Sequence, residues 1–300
     1  MIETILGYLM GMFVGIVMGM FGGGGSLLLP AMLYLLHYDL KFATAYTTIL
    51  VGITALVGVV PRVQQKVIDF PTVITLGVPV AAGNLIVRLW LFDVVPEQLF
   101  SIGPLVVSKK IFVLSILASL IVVSSATLLG LIGKPVSQQT DLKVKKSFSH
   151  YIALSLGGLL IGVIPGFTGA GGGVLIVPLL VICFGLPMRT VVGTSLSIVA
   201  FKSFVGFFGG DLIRIGSEMD YQFLVQFSIL MITGVMIGSW WSQKFDGERL
   251  KRVFAWFLLA LAVFIVVLIV WISAHWSSEC SLNWGSLGGF RLKDPRLFQG

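Results

Sequence analysis

From Ile5 to Leu36 the chain carries no charged side chain. That stretch is too long for one bilayer crossing, which takes roughly 20 apolar residues. It is interrupted by Gly22-Gly23-Gly24-Gly25-Ser26. Lipid offers the backbone no hydrogen-bond partner, so a break at membrane depth must be buried in protein or line a wet cavity. Single apolar runs follow at Phe42–Val60, Pro71–Phe92 and Ile111–Ile132. Of the 300 residues, 57% are hydrophobic and 11% charged, whereas an ordinary globular domain is about 25% charged. These values rule out a soluble protein. Continuous runs, as opposed to alternating segments of about ten residues, also argue against a membrane β-barrel. The fold class expected is all-α, a polytopic membrane protein.

The second part of the chain repeats the first. Tyr151–Leu186 is again long, apolar and broken, here at Gly166, Gly169 and Gly171-Gly172-Gly173. Spans follow at about Thr190–Phe208, Tyr221–Trp241 and Val253–Trp271. A shift of 148 residues, from Gly23 to Gly171, also pairs Pro30 with Pro178, Lys41 with Arg189, Gly58 with Gly206 and Lys66 with Arg214. The organisation expected is a first membrane repeat over 1–132 and a cytoplasmic linker over 133–150. A second repeat covers 151–276, and a poorly structured tail covers 277–300. The end Leu297-Phe298-Gln299-Gly300 has the look of an added, non-native piece. The first residues lack a charged n-region and a cleavage site, so they do not read as a signal peptide.

Basic residues collect on the cytoplasmic side. If each broken stretch crosses an even number of times, eleven lie inside: Arg62, Lys66, Lys134, Lys143, Lys145, Lys146, Arg189, Lys244, Arg249, Lys251 and Arg252. Four lie outside: Lys41, Lys109, Lys110 and Arg214. If each broken stretch crosses once, the balance disappears. Each half is then a Gly-broken helical hairpin plus three spans, an odd number of crossings. Two such halves insert with inverted topology, an architecture that recurs in secondary transporters.

A break leaves the N–H groups of the next half-helix unpaired and partly positive. Two such ends, near Ser26 and Gly173, facing each other would hold an anion. The candidate residues here are Gly23, Gly24, Gly25, Ser26, Gly171, Gly172 and Gly173. The alternative is helix packing by small residues. A Walker loop is excluded, because no Gly-Lys-Ser/Thr follows either run. Thr47 and Thr48 in the second span, with Thr194 and Ser195 in the sixth, offer hydroxyl donors. Their alternative is hydrogen bonding to their own helices. Lys202 is the sharper signal. It lies deep in the sixth span, where a lysine costs about 2.5–3.5 kcal/mol and is a functional candidate unless it snorkels to an interface. Arg88, nearer its span end, is weighted toward snorkelling. No Asp or Glu lies within any predicted span, so cation transport and a carboxylate proton relay lack candidates. No metal-spaced His/Cys cluster, paired acids or Ser–His arrangement supports an enzyme, and Cys183 and Cys280 make no disulfide framework.

The glycine run closed by Pro30, Gly169-Ala170-Gly171-Gly172-Gly173 followed by Pro178, and Gly193-Thr194-Ser195-Leu196 resemble the TauE/SafE (TSUP) family of sulfite and sulfonate exporters. The resemblance covers roughly residues 5–272. It implies a secondary transporter of small sulfur-containing anions, such as sulfite and sulfoacetate, working by export. Two departures stand out: Ala45-Tyr46-Thr47-Thr48 occupies the place of a first Gly-Thr-Ser-Leu, and Lys202 is outside the family pattern. The alternatives are another small anion, import, or a membrane assembly or sensor protein without a transport cycle. The partners expected are a small anion and the lipid bilayer of a cell inner membrane, crossed many times. No cofactor, metal or nucleic acid is expected, and a homodimer is compatible with the sequence.

Overall fold

The computed structural model describes residues 2–91, 98–102, 105–130, 156–163, 166, 172–215 and 218–285. Among the described residues the fold is helical apart from one short hairpin. In the first half, α1 (Ile2–Phe21) ends at the glycine run, a 3₁₀ turn follows at Gly24–Leu27, and α2 (Leu28–Tyr34) carries Pro30. The long helices α3 (Leu40–Gln64) and α4 (Phe70–Ile86) come next, and α4 is extended by a π-helical turn, Val87–Leu91. Strands β1 (Gln98–Ile102) and β2 (Leu105–Ser108) pair antiparallel in the connection that follows. Helix α5 (Lys109–Leu128) closes the half.

In the second half, residues 156–163 form α6, and α7 (Gly173–Phe184) starts at the second break. Helix α8 (Met188–Gly206) runs on through a π-helical turn at Phe207–Asp211 to Ile215. Helices α9 (Tyr221–Gln243) and α10 (Gly247–Gly285) follow, so the last helix continues past Trp276 into the predicted tail. The linker 133–150 lies outside the described residues. Among the described residues, five helices are long and apolar enough to cross a membrane: Leu40–Gln64, Phe70–Trp90, Met188–Ile215, Tyr221–Gln243 and Gly247–Val267.

Glycine decides how the two halves meet. In the α1–α9 contact, a Cβ at Gly15 or Gly19 would strike the carbonyl oxygens of Met231 and Val235. A Cβ at Gly234 or Gly238 would strike those of Met12 and Ile16. The α4–α6 contact is built the same way: Gly162 lies on the Val80 carbonyl and Gly83 on that of Leu159. Thus the first helix of each half lies backbone to backbone on the fourth helix of the other. Lipid tails are as apolar as the helices themselves, so close packing at small residues supplies much of the association. Between these seams, α3 and α8 pack together, α4 packs on α8, and α5 packs on α10. The core includes Met18, Leu28, Leu50, Leu76, Ile198, Phe227 and Phe254, all buried.

Candidate functional site

At the first break the chain turns at Gly22, whose φ of +74° lies in the left-handed region that glycine adopts at little cost. At the second, Gly172 caps α7 with φ +66°. The two breaks meet. A Cβ at Gly173 would lie 2.5 Å from the carbonyl oxygen of Gly22 and 2.6 Å from Cα of Gly23. A Cβ at Gly23 would lie 3.0 Å from the carbonyl carbon of Gly173 and 3.2 Å from the Phe254 ring. Phe254 in turn stacks on Phe21 with centroids 4.9 Å apart. Gly24 folds back on Val17 and Met18 of α1, and Gly25 is buried beside it. Gly171 lies outside the described residues. The sequence therefore brings its two glycine runs together, as close backbone contact.

The carbonyl side of the first break is satisfied by side chains from other helices. Ser195 Oγ donates to the Gly22 carbonyl at 3.1 Å and approaches its own helix at Val192 at 3.2 Å. Arg62 Nη2 donates to the Gly19 carbonyl at 2.9 Å and to Ser242 Oγ at 2.5 Å. Arg62 is buried inside α3, so it is not the loop charge expected on the cytoplasmic side. A cation at a helix C-terminus offsets both the orphan carbonyls and the dipole, which gives Arg62 a reason to be there. Thr194 Oγ1 accepts from the Asp69 backbone N–H at 3.1 Å. Ser26 Oγ is buried and has no partner among the described residues. Replacing Ser195 with Ala strands the Gly22 carbonyl. The expected loss is about 1 kcal/mol, read as a lowered unfolding temperature of the purified protein in detergent.

A second polar cluster lies about two turns further along α8, about 10 Å from Ser195. Lys202 is 2% exposed, and no described residue accepts a hydrogen bond from its ammonium. It is therefore buried and does not snorkel. Asn84 Nδ2 of α4 donates to the Lys202 backbone carbonyl at 3.1 Å. One turn on, Gly206 lies against Asn84 Nδ2 and within contact of Arg88 Cδ. Arg88, 2% exposed, forms an ion pair with Asp211, 3% exposed. Its other terminal nitrogen donates to Thr48 Oγ1 at 2.6 Å, while Thr48 donates to the Thr44 carbonyl at 2.7 Å. Thr47 instead bonds the Ala43 carbonyl of its own helix. Arg88 Nε and Ser203 Oγ are buried without partners among the described residues. Three helices thus converge here: α3 through Thr48, α4 through Asn84 and Arg88, and α8 through Lys202, Ser203 and Asp211.

This cluster corrects two expectations. Arg88 is buried and paired. A carboxylate also lies inside a membrane helix, because α8 does not stop at Phe208. The π-helical turn at Phe207–Asp211 carries it onward and places Asp211 opposite the π-helical turn that holds Arg88. Such turns add a residue to the helical circuit and often mark functional positions. The available signal was two opposite charges near the ends of two apolar runs, Pro71–Phe92 and Thr190–Phe208.

Residues 7–265 match the sulfite exporter TauE/SafE family. The chain belongs to that family. Curated relatives agree in kind. The probable membrane transporter protein YjnA of Bacillus subtilis is 28% identical over 254 residues, covering 84% of this chain and 95% of its own length. A probable membrane transporter protein of Haemophilus influenzae is 34% identical over 120 residues, 39% of this chain and 43% of its own. The probable membrane transporter protein MJ0441 of Methanocaldococcus jannaschii is 21% identical over 272 residues, 86% and 94% respectively. No solved structure gives a significant match. Like the rest of the TauE/SafE family, the chain is a multi-pass membrane transporter and not an enzyme.

Proposed function

We propose that this TauE/SafE protein exports small sulfur-containing anions, of the sulfite, sulfoacetate and sulfonate class, across a cell inner membrane by alternating access. One observation carries the choice of an anion. The buried cluster holds Lys202 and Arg88 but one described carboxylate, Asp211, which is already engaged by Arg88. An intramembrane positive charge without a counter-charge is costly, and a bound anion offsets it. Ser203 Oγ and Arg88 Nε, buried donors without partners among the described residues, add hydrogen bonds suited to an oxyanion.

In this reading the substrate sits beside Lys202, and the path continues along α8 past Ser195 and Thr194 to the paired breaks. Gly23, Gly24, Gly25, Ser26, Gly172 and Gly173 act there as the pivot. Ser195 has its proton committed to a carbonyl, and Gly22, Gly23 and Gly173 lie in backbone contact, which leaves no room for an anion between them in this conformation. The two halves are inverted repeats, a reading supported by the reciprocal packing of α1 on α9 and α6 on α4.

The test is sulfite efflux from proteoliposomes, with sulfate, thiosulfate, sulfoacetate and acetate as competitors. Saturable efflux inhibited by sulfoacetate but not acetate is the expected result. Inhibition by acetate alone would move the substrate to carboxylates. Absence of flux for every anion, in protein shown to be folded, would favour a non-transporting role.

A further inference from the structure

We propose that one acyl chain of a bilayer phospholipid lies in an apolar groove between α3, α4 and α8 and stays with the protein as a resident lipid. The inference is independent of the substrate reading above.

The groove has a volume of about 580 Å³. Helix α8 lines it with Ser197, Phe201, Phe204 and Phe208, α3 with Leu56, and α4 with Phe70. Leu56, Phe70, Phe201 and Phe208 are exposed, so the groove opens on the molecular surface. That surface faces lipid. Val60 and Val63 of α3 and Ile74 and Val78 of α4 are exposed as well, on helices long and apolar enough to cross a membrane. The groove is thus continuous with the apolar belt that meets the bilayer.

Chemistry selects the occupant. Among the described lining residues Ser197 alone is polar, and its hydroxyl is engaged with the Gly193 carbonyl at 3.0 Å. Nothing in the lining holds a water or a charged ligand, and apolar cavities stay dry. Left empty, the walls would lose their dispersion contacts on the open side. In hydrocarbon, the filler at hand is a lipid tail. Shape agrees with this. From Ser197 to Phe208 the groove follows α8 for about 16 Å, close to the roughly 15 Å depth of one leaflet's tails. A stretch of helix that long and about 10 Å across fills roughly 1,250 Å³, so a helix of a second copy does not fit inside.

The position bears on the polar cluster. At about 100° per residue, Lys202 and Ser203 point to other faces of α8 than Phe201 and Phe204. Phe208 belongs to the π-helical turn that carries Asp211 to Arg88. It packs on Phe204 and Phe207, with ring centroids 6.1 and 5.5 Å away. A chain in the groove therefore braces, from the lipid side, the turn that makes the buried ion pair.

The experiment is native mass spectrometry of the full chain in a steroid-based detergent, which brings no alkyl chain to compete. Unfolding temperature is measured before and after lipid removal. The unaltered chain is expected to retain one phospholipid. Its removal should lower the unfolding temperature by about 5 °C. Palmitoyl-oleoyl phosphatidylcholine and phosphatidylglycerol should restore it equally, because the described lining carries no charge. Ala200→Phe puts a ring into the groove; it should retain no lipid and respond to neither. Ser197→Leu fills the same space and carries the same test if the first variant does not fold. Val78→Phe, on the lipid face outside the groove, should keep the lipid. A folded, unaltered chain that retains no phospholipid would overturn the proposal. So would retention unchanged in the folded groove variants. Restoration by phosphatidylglycerol alone would move the lipid to the basic loops and overturn it too. A dimer lost in the groove variants, with no lipid bound to the unaltered chain, would give the groove to a second copy instead.

Discussion

Arg88→Ala is expected to lower stability by about 3–5 kcal/mol, because it leaves the Asp211 carboxylate buried without its partner. Few single changes in the described structure should cost more. The loss is measurable as a shift in unfolding temperature or in the denaturant midpoint of detergent-solubilised protein. The double change Arg88→Met with Asp211→Leu removes both charges and keeps the volume. It should recover most of that stability, since apolar replacements of buried ion pairs are often neutral or stabilising. It should not recover sulfite flux, because Arg88 Nε and the charge beside Lys202 are gone. Recovery of both stability and flux would reduce the pair to a structural fastening.

The second large effect is expected at the meeting of the breaks. Gly173→Ala places a methyl 2.5 Å from a carbonyl oxygen and 2.6 Å from a Cα, both backbone atoms that cannot turn aside. Overpacking of this kind costs about 1–3 kcal/mol. Here it pushes the two breaks apart, so flux should fall by at least tenfold while the protein still inserts. Gly172→Leu adds backbone strain at a left-handed φ, and Gly24→Leu drives a side chain into Val17 and Met18. Both should also abolish transport. Gly157→Ala is the control: nothing lies within 4 Å of the added methyl, so flux should be unchanged. Full activity in the Gly173 variant would remove the breaks from the transport cycle.

Much of this architecture was legible because lipid enforces simple rules. Uninterrupted apolar length marked α3, α4, α8 and α9. The glycine runs marked the breaks, and the start of α7 falls at Gly173 as the second run predicts. The depth of Lys202 was legible for the same reason, since a charge inside an apolar run has few places to go. What escaped notice depends on contacts between distant segments. Asp211 follows Gly209-Gly210, which read as the end of a span. Only the π-helical turn, made in contact with the one that carries Arg88, keeps the helix going. Arg62, flanked by Pro61 and near Gln64 and Gln65, read as a loop charge. Its burial answers a need of α1, some forty residues earlier in the chain, for donors at its carbonyl end. Ser195 was legible as a hydroxyl of interest, but whether its proton faces a ligand or a carbonyl is decided by where Gly22 lies.

The glycine seams between α1 and α9, and between α4 and α6, leave no layer of side chains between the paired backbones. Side-chain layers let helices slide, because rotamers can exchange as the rods shift. Bare backbone cannot, since each glycine would have to climb over the carbonyl it rests on. Each seam therefore welds two helices from opposite halves into one girder. Any rearrangement that opens the core first to one side of the membrane and then to the other must bend at joints outside the girders. The left-handed turns at Gly22 and Gly172 are placed to serve as those joints.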